Sequence, residues 1–249
     1  MQKEFVPVVE ALENECRAYF ADRIVSASLH GSIAKRDAIP FVSDLDYHII
    51  LSYAHELQDL QWIEETTRKL ETEYPQVNEI HLTVITIEAL RNDPFTRFIL
   101  EQNALLRMGK RMESIPEFDD CEHYIPDGQL AKMRLPFARQ CFKEALEGRQ
   151  PACTGEIPEN ECFGVRKLAR YFVVIEGAYF LMAKNRYRGF EKESVLAGLK
   201  NVIPAQYISF LHTASVVLED PFQARISQQG FIKRAKSFVE WMFSEIENT

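Results

Sequence analysis

Asp44 and Asp46 stand at i and i+2 at the head of one apolar run, and Gly31 and Ser32 stand at the end of the apolar run before it. In an extended strand, residues i and i+2 point to the same face, so the two carboxylates lie side by side. They repel each other unless something cationic sits between them. A hard divalent cation, usually Mg²⁺, is the natural occupant, because it takes a few carboxylates and completes its shell with substrate phosphate oxygens. A tight turn such as Gly31 and Ser32 can make presents backbone N–H groups and a hydroxyl to phosphate oxygens. Gly31, with no Cβ, lets that backbone approach a ligand closely. Together these residues point to a metal ion and a phosphate-bearing substrate.

Strands must hold these groups in place. Residues 24–29 read as a first strand ended by Gly31, residues 32–37 as a short helix after the turn, and residues 46–52 as a second strand. Before them, residues 4–20 carry Phe5, Val8, Val9, Leu12, Cys16 and Phe20 at helical spacing. Residues 56–74 predict a charged amphipathic helix that stops before Pro75. A third strand is expected over 79–87, opened by Glu79. Its alternation places His81 on the same face as Glu79, where a partly buried structural histidine is the plainer reading and a pocket residue the other. Helical stretches are expected at 88–92 and 96–102, interrupted by Pro94, with a short fourth strand at 104–108.

Residues 113–128 hold acids, prolines and a glycine and read as a linker. Beyond them only helical patterns occur, over 129–147, 161–185, 191–199, 204–218 and 231–246, with a loop at 148–158. The picture is an α/β half followed by a helical bundle. A cleft between the halves is where a ligand is expected.

The composition narrows the partners. The chain has 249 residues, enough for one large domain or two modest ones, with ordinary apolar (46%) and charged (27%) content. A net charge of −8 argues against a nucleic-acid substrate, which needs a basic track, and suits a small cationic acceptor. The five cysteines, Cys16, Cys121, Cys141, Cys153 and Cys162, are odd in number and show neither C-x-x-C nor zinc spacing. With no signal-peptide pattern at the start, they read as reduced thiols in a cytoplasmic protein. No apolar run reaches the length of a membrane span, so no membrane partner is expected.

The layout of Gly31 and Ser32, then Ser43, Asp44, Leu45 and Asp46, then Glu79, resembles the active-site signature of the polymerase-beta-like nucleotidyltransferases. Their pattern is Gly-Ser, a spacer, Asp-x-Asp, and a third acidic residue on a later strand. The order of elements is most similar to the aminoglycoside adenylyltransferases of the streptomycin/spectinomycin type. The resemblance continues in the segment Phe190 to Ser194 and in the downstream Pro204, Ala205, Gln206 and Tyr207.

The resemblance implies an α+β protein, with an N-terminal mixed-sheet nucleotidyltransferase domain over 1–112 and a C-terminal all-α helical bundle over 129–249, joined by 113–128. It implies transfer of AMP from ATP to a hydroxyl of a small polar acceptor, an aminoglycoside among the candidates. Asp44 and Asp46 would hold Mg²⁺, and Glu79 would be either a further metal ligand or the general base, the role the streptomycin-type enzymes suggest. Gly31, Ser32 and Ser43 would bind phosphate oxygens. Lys192 falls on the family's nucleotide-binding lysine, and Trp241 stands where the family has an aromatic that helps bind the nucleotide. Tyr179 stands where the family has an arginine, a departure that Arg170, Lys167 or Arg186 would have to offset.

Each assignment has a plainer alternative. An Asp-x-Asp pair also occurs on solvated loops, a glutamate opening a strand can be merely exposed, Lys192 can be a surface lysine, and Trp241 can be core. His30, just before the turn, reads as packing or support. Glu161 and Glu176 are acids that could meet a cationic acceptor. Two further functions share the scaffold: a nucleotidyltransferase whose acceptor is a protein side chain, and a catalytically quiet nucleotide-binding module, which the missing arginine favours and the intact aspartate pair disfavours.

Overall fold

The computed structural model describes residues 1–53, 56–121, 124–154 and 160–249. Residues 155–158 of the expected loop and 122–123 of the expected linker therefore lie outside the described residues. The chain divides into two compact units, Met1–Tyr124 and Ile125–Thr249.

The first unit is built on a four-stranded mixed sheet in the order β3-β2-β1-β4. Its strands are β1 (Ile24–Leu29), β2 (Leu45–Leu51), β3 (Ile80–Thr86) and β4 (Leu105–Gly109). β1 pairs antiparallel with both β2 and β4, whereas β2 and β3 run parallel. Antiparallel neighbours can follow one another through a short link, but a parallel pair needs a long crossover. Helix α3 (Leu57–Glu73) is that crossover. Between β1 and β2 stands the single helical turn α2 (Gly31–Ala34).

Alternation along the strands sorts the side chains into two layers. On one face Leu45, Tyr47, Ile49, Leu51, Ile80 and Leu82 join Ala27 and Leu29 in a core closed by α1 (Val6–Phe20) and α3. The apolar stripe Phe5, Val8, Val9, Leu12, Cys16 and Phe20 is fully buried there. Burying each such large side chain stabilises the fold by about 1.5–3 kcal/mol. Tyr19 of α1 stacks on Trp62 of α3 with ring centroids 4.3 Å apart.

On the other face Ile50 joins residues of α4 (Ile87–Arg91), α5 (Pro94–Asn103) and the chain after β4. Pro94 starts α5 rather than interrupting a helix: Asp93 caps it by accepting from the Thr96 N–H at 2.9 Å, and the first helical position needs no N–H of its own. The stretch after residue 112 begins with two 3₁₀ turns, Met112–Ser114 and Pro116–Phe118. Met112, Ile115 and Phe118 bury themselves in this second cluster, which explains why that part of the expected linker is ordered against the sheet.

The second unit is helical: α6 (Gly128–Leu146), α7 (Glu161–Ala169), α8 (Glu176–Ala183), α9 (Lys192–Lys200), α10 (Ile208–Glu219) and α11 (Gln228–Glu247). Helix α6 packs on α8 and α11, and α7 packs on α10 and α11. The helix expected over 161–185 runs without a break from Glu161 to Ala183, as α7, a π-helical turn at Arg170–Ile175, and α8. Helix α11 starts three residues earlier than its apolar pattern, because Ser227 caps it by accepting from the Gly230 N–H at 3.0 Å. No helix among the described residues is long and apolar enough to cross a membrane.

Candidate active site

The β1-to-α2 turn is set by backbone pairing. The His30 N–H donates to the Asp46 carbonyl at 2.8 Å, extending the β1–β2 ladder one step beyond its Leu29–Tyr47 pair. Gly31 then turns the chain at φ +66°, a conformation that L side chains rarely adopt. Its Cα lies against the Asp46 carboxylate, so a Cβ there would collide with Oδ2 and stand 3.1 Å from Cγ. Gly31 is thus required by both its dihedral angle and its neighbour. The first amides of α2, at Gly31 and Ser32, have no intrahelical partner.

Beneath the turn lies a pair of imidazoles. His30 and His48 meet ring to ring at 4.4 Å, and His30 Nε2 lies 3.2 Å from Ser28 Oγ. Burial, with smaller contributions from His48 and Lys35, pushes His30 down to about 3, and burial pushes His48 down to about 4. Both rings are therefore neutral near pH 7, and they support the turn as packing.

The loop to β2 is held by Ser43. Its hydroxyl accepts from the Ile39 N–H at 2.9 Å, and its own N–H donates to the Ile39 carbonyl at 2.9 Å. From there β2 and β3 run in register. The Asn78 N–H donates to the Ser43 carbonyl at 3.1 Å, and the Leu45 N–H donates to the Glu79 carbonyl at 2.8 Å. Leu45 pairs with Ile80 and Asp46 with His81. Alternation then sets Asp44, Asp46, Glu79 and His81 on one face of the parallel pair, opposite buried Leu45 and Ile80.

The side chains converge unevenly. Asp44, Glu79 and His81 each offer a ligand atom, and all three atoms lie within 4.8 Å of one another. His81 Nε2 is 3.3 Å from Glu79 Oε2, and both side chains are about two-fifths exposed, at 43% and 41%. Asn78 Nδ2 donates to Asp44 Oδ1 at 3.2 Å and orients it. Asp46 is turned toward Gly31 and stands outside this group of three.

These donors fit a divalent cation. Ligands about 2.1 Å from an ion stand about 3 Å apart when adjacent and about 4 Å apart when opposite. The observed spread needs only small side-chain adjustment to meet that, and exposure leaves room for water or phosphate oxygens to complete the shell. His81, read from the sequence as a partly buried structural residue or a pocket residue, has a side chain 43% exposed and stands beside Glu79.

In the second unit, Lys192 is the first residue of α9, with Nζ 3.4 Å from Glu193 Oε1. Trp241 lies in an aromatic cluster with Phe180 at 5.1 Å and Tyr207 at 5.2 Å. Tyr179 is buried, with its ring 5.5 Å from that of Phe190. Arg134 of α6 lies over it, with Cζ 5.6 Å from the ring. Arg134 Nε is 3.5 Å from Glu176 Oε1, and its guanidinium also donates to the Tyr171 hydroxyl. Glu176 is 1% exposed, and burial raises its carboxyl above the usual range. It is a buried partner of Arg134 and is not open to a cationic acceptor. Glu161 is exposed and accepts from the Gln228 N–H at 2.7 Å.

Sequence reasoning passed over Asn78, which only strand register brings to Asp44, and Arg134, which only helix packing brings to Glu176. His81 carried a usable signal, its i+2 spacing from Glu79.

No family model matches the chain. No curated protein matches it. Among solved structures it is similar to the spectinomycin adenyltransferase AAD(9) from Enterococcus faecialis, crystallised with ATP and spectinomycin, with a TM-score of 0.57. The likeness covers 97% of this chain and 98% of that one at 9% identity. At that identity the likeness is one of fold: the chain has the α+β fold of an adenyltransferase, a mixed sheet followed by helices.

Proposed function

We propose that the protein is a nucleotidyltransferase that moves AMP from Mg·ATP to a hydroxyl of a small polar acceptor. The observation that carries this reading is the β2–β3 register, which lines up Asp44 with Glu79 and Asp46 with His81 on one face, with the Gly31 turn packed on Asp46. Nucleotidyl transfer asks little covalent work of a protein and much positioning and charge neutralisation.

The amides at Gly31 and Ser32, with the Ser32 hydroxyl, hold phosphate oxygens. The Ser43 hydroxyl, which already accepts from Ile39, has its own proton to donate to another. Asp44 and Asp46 would hold the Mg²⁺, which would neutralise charge on the phosphates and lower the acceptor hydroxyl's pKa. Glu79 takes the acceptor proton as the oxygen attacks the α-phosphorus, and the bond to pyrophosphate breaks. In the helical unit, Lys192 would serve the nucleotide as a point charge and Trp241 as an aromatic surface. The net charge of −8 favours a cationic acceptor such as an aminoglycoside.

ATP-dependent pyrophosphate release across a panel of aminoglycosides and peptides tests this. Release with an aminoglycoside, together with a product heavier by one AMP, is the expected result. Release with peptides alone would move the acceptor to a protein side chain. ATP binding with no release for any acceptor would leave a nucleotide-binding module.

A further inference from the structure

We propose that Phe41 selects the acceptor: its phenyl ring is the platform on which a cationic ring, such as an aminosugar, is laid with a hydroxyl toward Glu79. The inference rests on the nucleotidyl transfer proposed above and names the contact that chooses its acceptor.

Phe41 does little for the fold and is held where it stands at a cost. Its ring is 68% exposed, so it buries little apolar surface. Its backbone sits at φ +65°, a left-handed conformation that is an outlier for a bulky L residue and that glycine takes freely. The surrounding turn enforces that conformation. The Phe41 N–H donates to the Gln76 carbonyl at 2.7 Å, and the Val42 and Ser43 N–H groups donate to the Ile39 carbonyl at 3.2 and 2.9 Å. The Gln2 side chain brackets Ala38 with two hydrogen bonds of 2.9 Å. A strained backbone over-determined in this way, and presenting an exposed ring, points to a use outside folding.

The strand order places Phe41 on the acceptor's side. The Gly31 turn touches Asp46 from the β1 side of β2. Phe41 is bonded on the other side, to Gln76, three residues before Glu79 at the head of β3. Three residues of chain span at most about 11 Å, which bounds the separation of Phe41 from Asp44. Displacement at phosphorus is in line, so the acceptor hydroxyl enters opposite the leaving pyrophosphate. With the phosphates on the Gly31 turn, that entry is from the β3 side, where Glu79 and Phe41 stand.

The ring sets the class of acceptor. The face of an aromatic ring is negative and attracts ammonium and guanidinium groups, and its flat apolar surface suits the face of a sugar ring. The half-exposed carboxylate of Glu79 favours the same cations. A peptide hydroxyl on an extended chain offers no such face.

The test measures binding of streptomycin, kanamycin and uncharged maltose to the intact chain by calorimetry, with and without a non-hydrolysable ATP analogue. A cationic sugar is expected to bind, and more tightly than maltose. Phe41→Ala should weaken it about five- to tenfold, and Phe41→Trp, which keeps an aromatic face, should not. Phe41→Gly should weaken binding as much as alanine does, yet melt at the same temperature as the native chain or higher, because glycine relieves the left-handed strain. For a sugar that supports pyrophosphate release, Phe41→Ala should raise KM and leave kcat within about twofold. The proposal is overturned if no cationic sugar binds, or if Phe41→Ala leaves its affinity unchanged. A melting temperature lowered in Phe41→Gly also overturns it, since the ring would then serve packing. The two readings fail separately. Phe41-dependent sugar binding without pyrophosphate release keeps this site and removes the reaction. Release with an acceptor indifferent to Phe41 does the reverse.

Discussion

The contact between Gly31 and Asp46 joins the two halves of the candidate site through a single missing Cβ. Gly31→Ala must either leave φ +66° or push the Asp46 carboxylate aside. The left-handed backbone alone costs about 1–2 kcal/mol for an L residue. We expect a lower melting temperature, and a loss of pyrophosphate release larger than the loss of stability accounts for, because Asp46 is displaced in the folded protein. The carboxylates themselves separate by role. Asp46→Asn, nearly isosteric but uncharged, should abolish transfer while reducing nucleotide affinity less, since the ion acts most strongly on charge developing in the transition state. Glu79→Gln should slow the chemical step by about a hundredfold, less so as pH rises, if the carboxylate is the base. A raised metal requirement in that variant would make Glu79 chiefly a ligand. An unchanged rate at neutral pH would remove both roles.

At the scale of elements, the site depends on a parallel strand pair, and that pair depends on how α3 is fixed at its start. Glu56 caps α3, and Asp59 returns the contact by accepting from the Glu56 N–H at 2.8 Å. The same carboxylate takes both Arg23 amino groups, at 2.8 and 3.0 Å, tying α3 to the turn before β1. Hydrogen bonds from Arg23, then from Glu56 and Tyr19, hold Asp59 down at about 2, from an ordinary 3.8, against the opposing effect of burial. The folded state therefore binds fewer protons here than the unfolded chain. That contribution is fully present above about pH 4 and is lost as pH falls through about 2. Asp59→Asn should lower stability by about 2–3 kcal/mol at pH 7, since it leaves Arg23 without its buried counter-charge. Denaturant unfolding at pH 7 and pH 2 checks this: the variant's deficit should shrink at the acid end. An equal deficit at both would place the effect in packing.

For the whole molecule, ligand binding reports on the native state alone. Mg·ATP should raise the melting temperature more than ATP without metal, and a ligand at a hundredfold excess over its dissociation constant adds about 2.7 kcal/mol. Lys192→Ala should keep the fold and lose part of that shift. Equal shifts with and without Mg²⁺ would count against the Asp44 and Asp46 ion, and an undiminished shift in the variant would count against Lys192.

Periodicity by itself determined the strands and helices that frame the site, because their faces are buried and a slip of register would expose them. Spacing also marked Gly31, Ser32, Asp44 and Asp46 as a chemical set, since adjacent carboxylates after a glycine turn have no apolar reason to exist, and the resemblance to the nucleotidyltransferase pattern added Glu79. Periodicity was silent where the deciding partner is far along the chain. Pairing β2 with β3 brought Asn78 to Asp44 and made His81 a neighbour of the acids. Helix packing brought Arg134 to Glu176 and put Tyr179 in the interior. The π turn at Arg170–Ile175 left no mark in an apolar run that any helix could share. Local spacing says which face a side chain points to. What it meets there is decided by strand register and helix packing, which arise from contacts between residues distant in sequence.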